Sequence, residues 1–474
     1  MNDSYDFAVI GGGSAGFAAA RTASQLGLRT IVIEGGAEVG GLCILRGCMP
    51  SKTLLESAHR AESIRRADEF GLRAQYLGAD GAAIRARKRR LIGEFADYRR
   101  EQLESGPFEF VRAHARFADA HTLEIDLLDG GARRIEARAF LIATGSRVNC
   151  PDIPGLAETG SWSSDDVLDS DYIPKSVIVL GGGAIALELA SYYRGLDCEV
   201  TLIQRSAHVL KEMDVDVTDA LVDAMEARGI TVFRDTSLQS VERSGANKRV
   251  HFKHAGNARS VDAEQIICAL GRSPNLDALG LSRAGLVVEK GKLAANPAQQ
   301  TVQPHIFAAG DVCGPHEVVH IAVQQAEIAA RNAARQLGKL GGAQEKTDYR
   351  LKLFAVFSQP EAAAVGLTEA EAKKAGLDFV KATYPFSDHG KSMVRGETHG
   401  FVKLIAERES RRILGAACVG PEAAELIHEV VVAMHFHATA GDLARVPHYH
   451  PTLSEIWTYP AEELAEMSDR SPVL

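Results

Sequence analysis

Cys43 and Cys48, five residues apart in the stretch GGLCILRGCMPSK over residues 40–52, are the side chains in this 474-residue sequence best suited to redox chemistry. In one continuous helix such residues are separated by about 7.5 Å of rise and face different sides. Disulfide-bonded Cα atoms lie roughly 4.4–6.8 Å apart, so a bond here requires a break in the chain. Gly47 supplies a permissive backbone beside Cys48, and Pro50 suits the first turn of a helix, where a missing N–H costs nothing. Cys48 then lies at a helix N-terminus, whose positive end favours a thiolate. The same residues also fit a structural disulfide or two reduced core thiols, and this stretch alone leaves those readings open. A second constellation is ARVPHYHPTLSEIW, residues 444–457. His450, with Glu455 one helical turn on, pairs an imidazole with a carboxylate able to fix its tautomer and raise its basicity, although such a pair is also common on surfaces. No set of Cys and His has metal-ligand spacing.

The element that must position the cysteines precedes them. Residues 6–34, DFAVIGGGSAGFAAARTASQLGLRTIVIE, read as a buried strand, a glycine turn, a helix and a second strand. Gly11, Gly13 and Gly16 form G-x-G-x-x-G in the strand-to-helix context, and Glu34 ends the second strand where a carboxylate accepts from a ribose hydroxyl. Together with the cysteine stretch, these motifs resemble the pyridine nucleotide-disulfide oxidoreductases, the flavoenzymes that include dihydrolipoamide dehydrogenase, glutathione reductase and mercuric reductase. The resemblance runs almost from end to end. It implies an α/β fold with two Rossmann-like dinucleotide-binding domains, for FAD and for NAD(P), and an α+β C-terminal dimerisation domain. The expected divisions are 1–150 for the first part of the FAD domain, 151–271 for the NAD(P) domain, 272–347 for the return to the FAD and central region, and 348–474 for the interface domain.

A repeat supports two nucleotides per chain. SVIVLGGGAIALELASYYRGLDCEVTLIQ, residues 176–204, carries Gly181 and Gly183, with Ala186 in the third glycine's place, an accepted variant. Its final strand ends at Gln204 and Arg205 instead of an acid. A basic residue accommodates the 2′-phosphate of NADP, whereas Gln204 can bond the free hydroxyl of NAD, so Arg205 inclines the reading to NADP and leaves NAD open. The strands before Gly145, Gly271 and Asp311 each stop at a glycine turn; Asp311 resembles the family aspartate that holds the ribityl chain of FAD. By the same resemblance, the helix that follows, with its N-terminus near Ile321 and Ala322, would aim N–H groups at the flavin pyrimidine. Glu188 resembles the family glutamate that pairs with the lysine after the second cysteine, here Lys52. Ala184 departs from relatives with an aromatic residue at that position.

The resemblance further implies a Cys43–Cys48 redox disulfide, with Cys43 as the outer, attacking sulfur, Cys48 next to the flavin and His450 as the proton shuttle. It also implies a homodimer in which the His450 segment reaches the partner's disulfide. His448, His450, Pro451, Thr452, Leu453, Ser454 and Glu455 match the H-x-H-P-T-L-S-E signature of dihydrolipoamide dehydrogenases, making a dithiol or a protein-bound lipoyl group the expected substrate. Mercuric-reductase-like chemistry is the alternative; that enzyme carries a C-terminal cysteine pair, whereas this sequence ends EMSDRSPVL. A non-catalytic flavoprotein docking subunit is a third. Leu42, Leu45 and Arg46 depart from the small or polar residues of relatives, and Arg46 either lowers a thiolate pKa or recruits an anionic substrate.

Bulk properties bound these readings. A net charge of −9 gives no reason to expect nucleic acid, and no apolar run approaches the length of a membrane span. The start MNDSYDFAVIGGG has no basic n-region, so a cytoplasmic protein is expected. Seven mostly isolated cysteines do not make a disulfide framework. The helix expected near residues 82–104 carries Arg85, Arg87, Lys88, Arg89, Arg90, Arg99 and Arg100 among acids. Its preferred reading is a solvated face, and its alternative a docking surface for an acidic carrier.

Overall fold

The structure is a computed structural model that describes residues 3–149 and 151–467. Cys150, at the first expected domain boundary, and the last seven residues of the tail lie outside them. The chain divides into two compact units, Met1–Ser51, Ala86–Asn149 and Arg272–Asp348 forming the first, and Lys52–Arg85, Cys150–Gly271 and Tyr349–Leu474 the second. The elements up to Ile142 run β1 Ser4–Ile10, α1 Ser14–Gln25, β2 Thr30–Glu34, α2 Gly41–Leu45, α3 Cys48–Arg65, α4 Gly81–Glu104, β3 Glu109–Asp119, β4 Thr122–Leu127 and β5 Ala132–Ile142.

In the first unit β1 lies between β2 and β5, all parallel, with the start of β3 parallel to β2 and the strand Ile306–Ala308 parallel to the end of β5. The remainders of β3 and β5 pair antiparallel with β4, so each long strand serves a parallel sheet and a meander. Apolar runs such as FAVI in β1 and TIV in β2 are buried throughout, as expected of parallel strands covered on both faces. One cover is an alanine seam: Ala15, Ala19 and Ala23 of α1 share a core with Ala326, Ala330 and Ala333 of the helix Val319–Gln336. Small side chains on both helices permit close packing, which holds the start of α1 against the sheet.

The second unit contains a parallel sheet ordered Gln265–Cys268, Ser176–Leu180, Glu199–Ile203, Ile230–Phe233 and an antiparallel meander of Thr236–Ser244, Asn247–His254 and Asn257–Ala263. It also contains a five-stranded antiparallel sheet in the order Leu353–Val356, Glu361–Gly366, Ile413–Gly420, Phe401–Glu407, Phe379–Pro385. The helices Ala423–His435 and Thr458–Glu466 contribute to the core on this last sheet, with Trp457 buried and its Nε1–H donating to Leu426 O at 2.9 Å. From Asp348 onward strands and helices mix, with the short helices Glu369–Lys374 and Gly390–Arg395 lying between strands in the chain.

A buried cation ties three segments of this unit together. Lys403, on the strand Phe401–Glu407, is 0% exposed. Its Nζ lies 2.8 Å from Asp214, 2.7 Å from Asp216 and 3.0 Å from Glu369. Those three carboxylates are close enough together to hold a metal ion, and the lysine ammonium is the cation among them. Burial disfavours its charge, but Asp214 and Asp216 outweigh that and hold the Lys403 pKa above the ordinary lysine value. Removing one member of a buried ion pair typically costs about 3–5 kcal/mol. Lys403→Met is therefore expected to lower the urea midpoint substantially without changing the sheet register, as read by equilibrium unfolding and far-ultraviolet circular dichroism.

Candidate active site

The dinucleotide fingerprint of the first unit closes at the C-terminal ends of three parallel strands. β1 leads to Gly11, β5 towards Gly145, and Ile306–Ala308 to Asp311. Gly11 has φ +106°, and a Cβ there would lie 2.5 Å from Ala143 O; a Cβ on Gly16 would lie 1.8 Å from Gly11 O. Both positions therefore require glycine. Gly13 caps α1 with no side-chain cap bond, so the first-turn N–H groups remain available to an anion such as a pyrophosphate. Glu34 accepts from Gly12 N–H at 2.7 Å and Gly36 N–H at 2.5 Å. These bonds leave further lone pairs for a ribose hydroxyl. Asp311 accepts from Ser146 Oγ at 2.6 Å, and burial, only partly offset by that bond, raises its pKa. Ala322 lies in the first turn of Val319–Gln336, where a Cβ on Gly310 would be 3.2 Å from its own Cβ. The orphan N–H groups, the side-chain-free turn and the two carboxylates fit FAD.

The second unit repeats the arrangement. Gly181 follows the strand Ser176–Leu180, Gly183 caps the helix Ala184–Gly195, and Ala186 is buried in its first turn. Gly271 follows Gln265–Cys268 with φ +105°. The Gln204 side chain lies against Gly182, as Glu34 does against Gly12, and its Nε2–H donates to His208 O at 3.3 Å. Arg205 is exposed and, among the described residues, unpaired.

The cysteine loop has the break that its spacing requires. α2 ends at Leu45, Arg46 and Gly47 intervene, and α3 starts at Cys48. A Cβ on Gly47 would meet Cys43 Cα at 3.1 Å, so the residue before Cys48 packs directly against Cys43. Arg46 Nη2 is paired with Glu38 at 3.1 Å, and its Nη1–H donates to Leu45 O at 3.1 Å. Three further cysteines are of another kind: burial pushes the Cys198 and Cys313 thiols up to about 12 and Cys418 well above its ordinary value. Buried neutral thiols of this kind are inert.

One turn along α3 from Cys48, Lys52 Nζ donates to both oxygens of Glu188 at 2.8 and 2.9 Å. Glu188 is 5% exposed on the helix Ala184–Gly195 and also accepts from Phe357 N–H at 3.2 Å. The Lys52 ammonium sits 4.5 Å from the Phe357 ring centroid. The pair expected by resemblance is formed, while Phe357 was hidden from sequence reasoning by its distance in the chain.

His450 Nδ1 is 3.0 Å from Glu455 Oε2, and the imidazole side chain is 80% exposed. The expected helical turn between them is absent: residues 450–453 lie outside helix, and only Ser454–Trp457 forms a 3-10 turn. Glu455 Oε1 lies 3.6 Å from Nε2 of the fully buried His389, whose Nδ1 contacts Ser392 Oγ at 2.9 Å. Burial pushes His389 below the ordinary histidine range, so it stands behind Glu455 as a neutral ring at neutral pH. No local motif marks His389 in the sequence. His448 is separate from this pair, with Nε2 on Glu429 at 2.5 Å and Nδ1 on Val446 O at 2.9 Å.

Residues 5–326 match the family described as pyridine nucleotide-disulphide oxidoreductase, and residues 354–461 match its dimerisation domain. The chain belongs to this family. Dihydrolipoyl dehydrogenase of Chlamydia muridarum is 33% identical over 460 residues, covering 96% of each chain. Mercuric reductase of Bacillus cereus is 33% identical over 456 residues, covering 96% of this chain and 70% of its own. Among solved structures, a Cu(II) complex of the HOCl-induced flavoprotein disulfide reductase RclA from Escherichia coli is similar, with a TM-score of 0.84 and 26% identity. That match covers 98% of this chain and 100% of RclA. As a pyridine nucleotide-disulphide oxidoreductase the chain is an FAD-dependent enzyme that uses a pyridine nucleotide, and its matched dimerisation domain supports a homodimer. No helix among the described residues is long and apolar enough to cross a membrane.

Two-electron reduction of the FAD-loaded protein under anaerobic conditions is expected to give a long-wavelength absorbance from a Cys48 thiolate beside the flavin. Cys48→Ser should abolish the band and Cys43→Ser should make it permanent. A reduced spectrum that neither substitution alters would remove both cysteines from the redox site.

Proposed function

We propose that this oxidoreductase interconverts a dithiol and a disulfide of the lipoyl kind, with Cys43 and Cys48 as the redox pair and His450 as its base. The observation that carries the reading is the exposed imidazole of His450, held through Nδ1 by Glu455 at 3.0 Å. That contact sets the tautomer and leaves Nε2 to exchange a proton with a thiol. When bound, FAD supplies two-electron transfer between the nicotinamide and the dithiol pair. The protein's residues do the rest. The α1 N-terminus, Glu34 and Asp311 hold the flavin nucleotide, while Lys52, fixed by Glu188, provides a localised positive charge. Cys43 exchanges with the substrate sulfur, Cys48 closes the protein disulfide, and His450 takes or returns the thiol proton. In a homodimer the exposed His450 serves the partner's cysteine pair. Arg205, exposed beside the second fingerprint, favours NADP over NAD.

The basic helix gives limited support to a carrier-docking role. Arg85 is paired with Asp171 at 2.9 Å, Arg90 with Glu94 at 2.8 Å and Arg100 with Asp97 at 3.1 Å, while Lys88 is buried. A small dithiol is therefore the first substrate to test, ahead of a protein-bound lipoyl group. A second reading, reduction of a soft metal ion, is favoured by a mercuric reductase at the same 33% identity as the dihydrolipoyl dehydrogenase.

The decisive experiment assays the purified holoenzyme with dihydrolipoamide, lipoamide, glutathione disulfide, Hg²⁺ and Cu²⁺ against both coenzymes. Lipoyl turnover is expected to exceed that of every other substrate, with NADP(H) preferred and Arg205→Glu reversing that preference. Faster turnover of glutathione disulfide or a metal ion would sink the lipoyl assignment. Loss of a positioned base costs about 10²–10⁴-fold. His450→Gln is accordingly expected to slow the dithiol half-reaction by that factor while sparing flavin reduction by the coenzyme, as resolved by stopped-flow absorbance.

A further inference from the structure

The inner stripe of α4 contains a cation that none of these roles uses. Lys88, Ile92, Ala96 and Leu103 of this helix are buried, and Arg99 falls on the same stripe. Its guanidinium carbon lies 4.3 Å from the Phe17 ring centroid, and its Nε–H donates to Gln102 Oε1 at 3.2 Å. Arg99 Nη1 is buried and has no hydrogen-bond partner among the described residues. Such a charge is costly unless an anion forms beside it, because a guanidinium does not shed its proton. The cysteine loop packs beside the same first turns of α1. Gly41, at the start of α2, packs so closely on Gly13 that a Cβ on Gly41 would lie 2.5 Å from Gly13 Cα. Phe17 N–H donates to Gly13 O at 2.9 Å in the first turn of α1. Cys43 follows Gly41 by two residues on the same short helix.

We propose that Arg99 is the positioning charge that holds Cys43 as the attacking thiolate in the reduced protein. Burial is the main influence lowering the Arg99 pKa, and Cys43 is the strongest opposing one. The other charged or titratable groups acting on Arg99 are Arg21 of α1 and Tyr98 of α4. Arg21 lies 5.9 Å from the same Phe17 ring and 3.7 Å from Glu327 of the helix Val319–Gln336, which offsets its charge. Arg46, the nearest cation in sequence, is engaged with Glu38 at 3.1 Å. In substrate reduction the Cys43 thiolate attacks one sulfur of the disulfide, forming a mixed disulfide and expelling the other sulfur as a thiolate, which takes a proton. The Cys48 thiolate then attacks Cys43, closing the protein disulfide and expelling the second substrate sulfur. The two electrons lost by the cysteine pair are those gained by the substrate, and the positive charge of Arg99 favours the form of Cys43 that begins the sequence.

The inference rests on the Cys43–Cys48 pair being the redox centre, so two readouts are needed. The FAD-loaded full-length protein is reduced with dithiothreitol and treated with iodoacetamide over roughly pH 5–9, and Cys43 labelling is followed by peptide mass. The wild-type midpoint is expected at least about one pH unit below the ordinary thiol value of ~8.5. Arg99→Gln should raise it by about one unit, slowing labelling about tenfold below both midpoints, and Arg99→Lys should restore most of the shift. A wild-type midpoint at or above ~8.5 overturns the proposal without any variant. So does an unmoved midpoint in an Arg99→Gln protein that retains FAD and its melting temperature, or a lysine variant no closer to wild type than glutamine. The long-wavelength absorbance on two-electron reduction reports the redox pair separately: its absence refutes the redox reading, whereas its presence with an ordinary midpoint refutes only the role of Arg99.

Discussion

A carboxylate with almost no exposure is the constraint around which much of the second unit is arranged. Glu188 sits on the helix that follows the second glycine turn, where ionisation requires compensation from nearby donors. Lys52 supplies two charge-assisted bonds from α3, and Phe357 supplies its backbone N–H from the segment leaving the strand Leu353–Val356. The Phe357 ring then covers the ammonium. Three segments distant in sequence are thereby fixed to one another by the needs of a single acid. The small residues of Ala184–Gly195 assist, since a Cβ on Gly195 would lie 2.7 Å from the Ala58 Cβ of α3.

The sulfur chemistry depends on a contrast in environment within one residue type. Cys198, Cys313 and Cys418 pack as small apolar groups whose ionisation is suppressed by burial. Cys48 occupies a helix start, and Cys43 lies on a five-residue helix whose first residue, Gly41, presses against the start of α1. Two further polar side chains are organised by backing groups. Glu455 is flanked by the exposed His450 and the buried His389, while Asp311 is held by Ser146. In each case the outward group has its orientation set by a more buried neighbour, which limits the side-chain freedom lost when a ligand binds.

Much of this was legible because it is local. The glycine fingerprints announce themselves through spacing, as does Pro50 at a helix start, and the strands before Gly11 and Gly181 form where apolar runs meet a glycine turn. The break at Arg46–Gly47 followed from the mismatch between helical rise and disulfide reach. The rest depended on long-range contacts. His389 carries no motif of its own, and Phe357 acts through backbone and ring rather than through a reactive side chain. His450 and Glu455 meet through an irregular turn where a helical one was expected, because Thr452 N–H also turns towards Glu455, at 3.4 Å. The basic helix was only half readable: its charge pattern describes a solvated face, yet the spacing of Ile92, Ala96 and Leu103 draws Lys88 and Arg99 onto the inner stripe.

The cluster around Lys403 has a consequence for how this protein meets its surroundings. Three carboxylates that could have recruited a divalent ion instead surround an ammonium joined covalently to a neighbouring strand. A tethered counterion has an effective concentration set by the chain, independent of the medium. Charge neutralisation and sheet formation thus become one event, set by the chain itself.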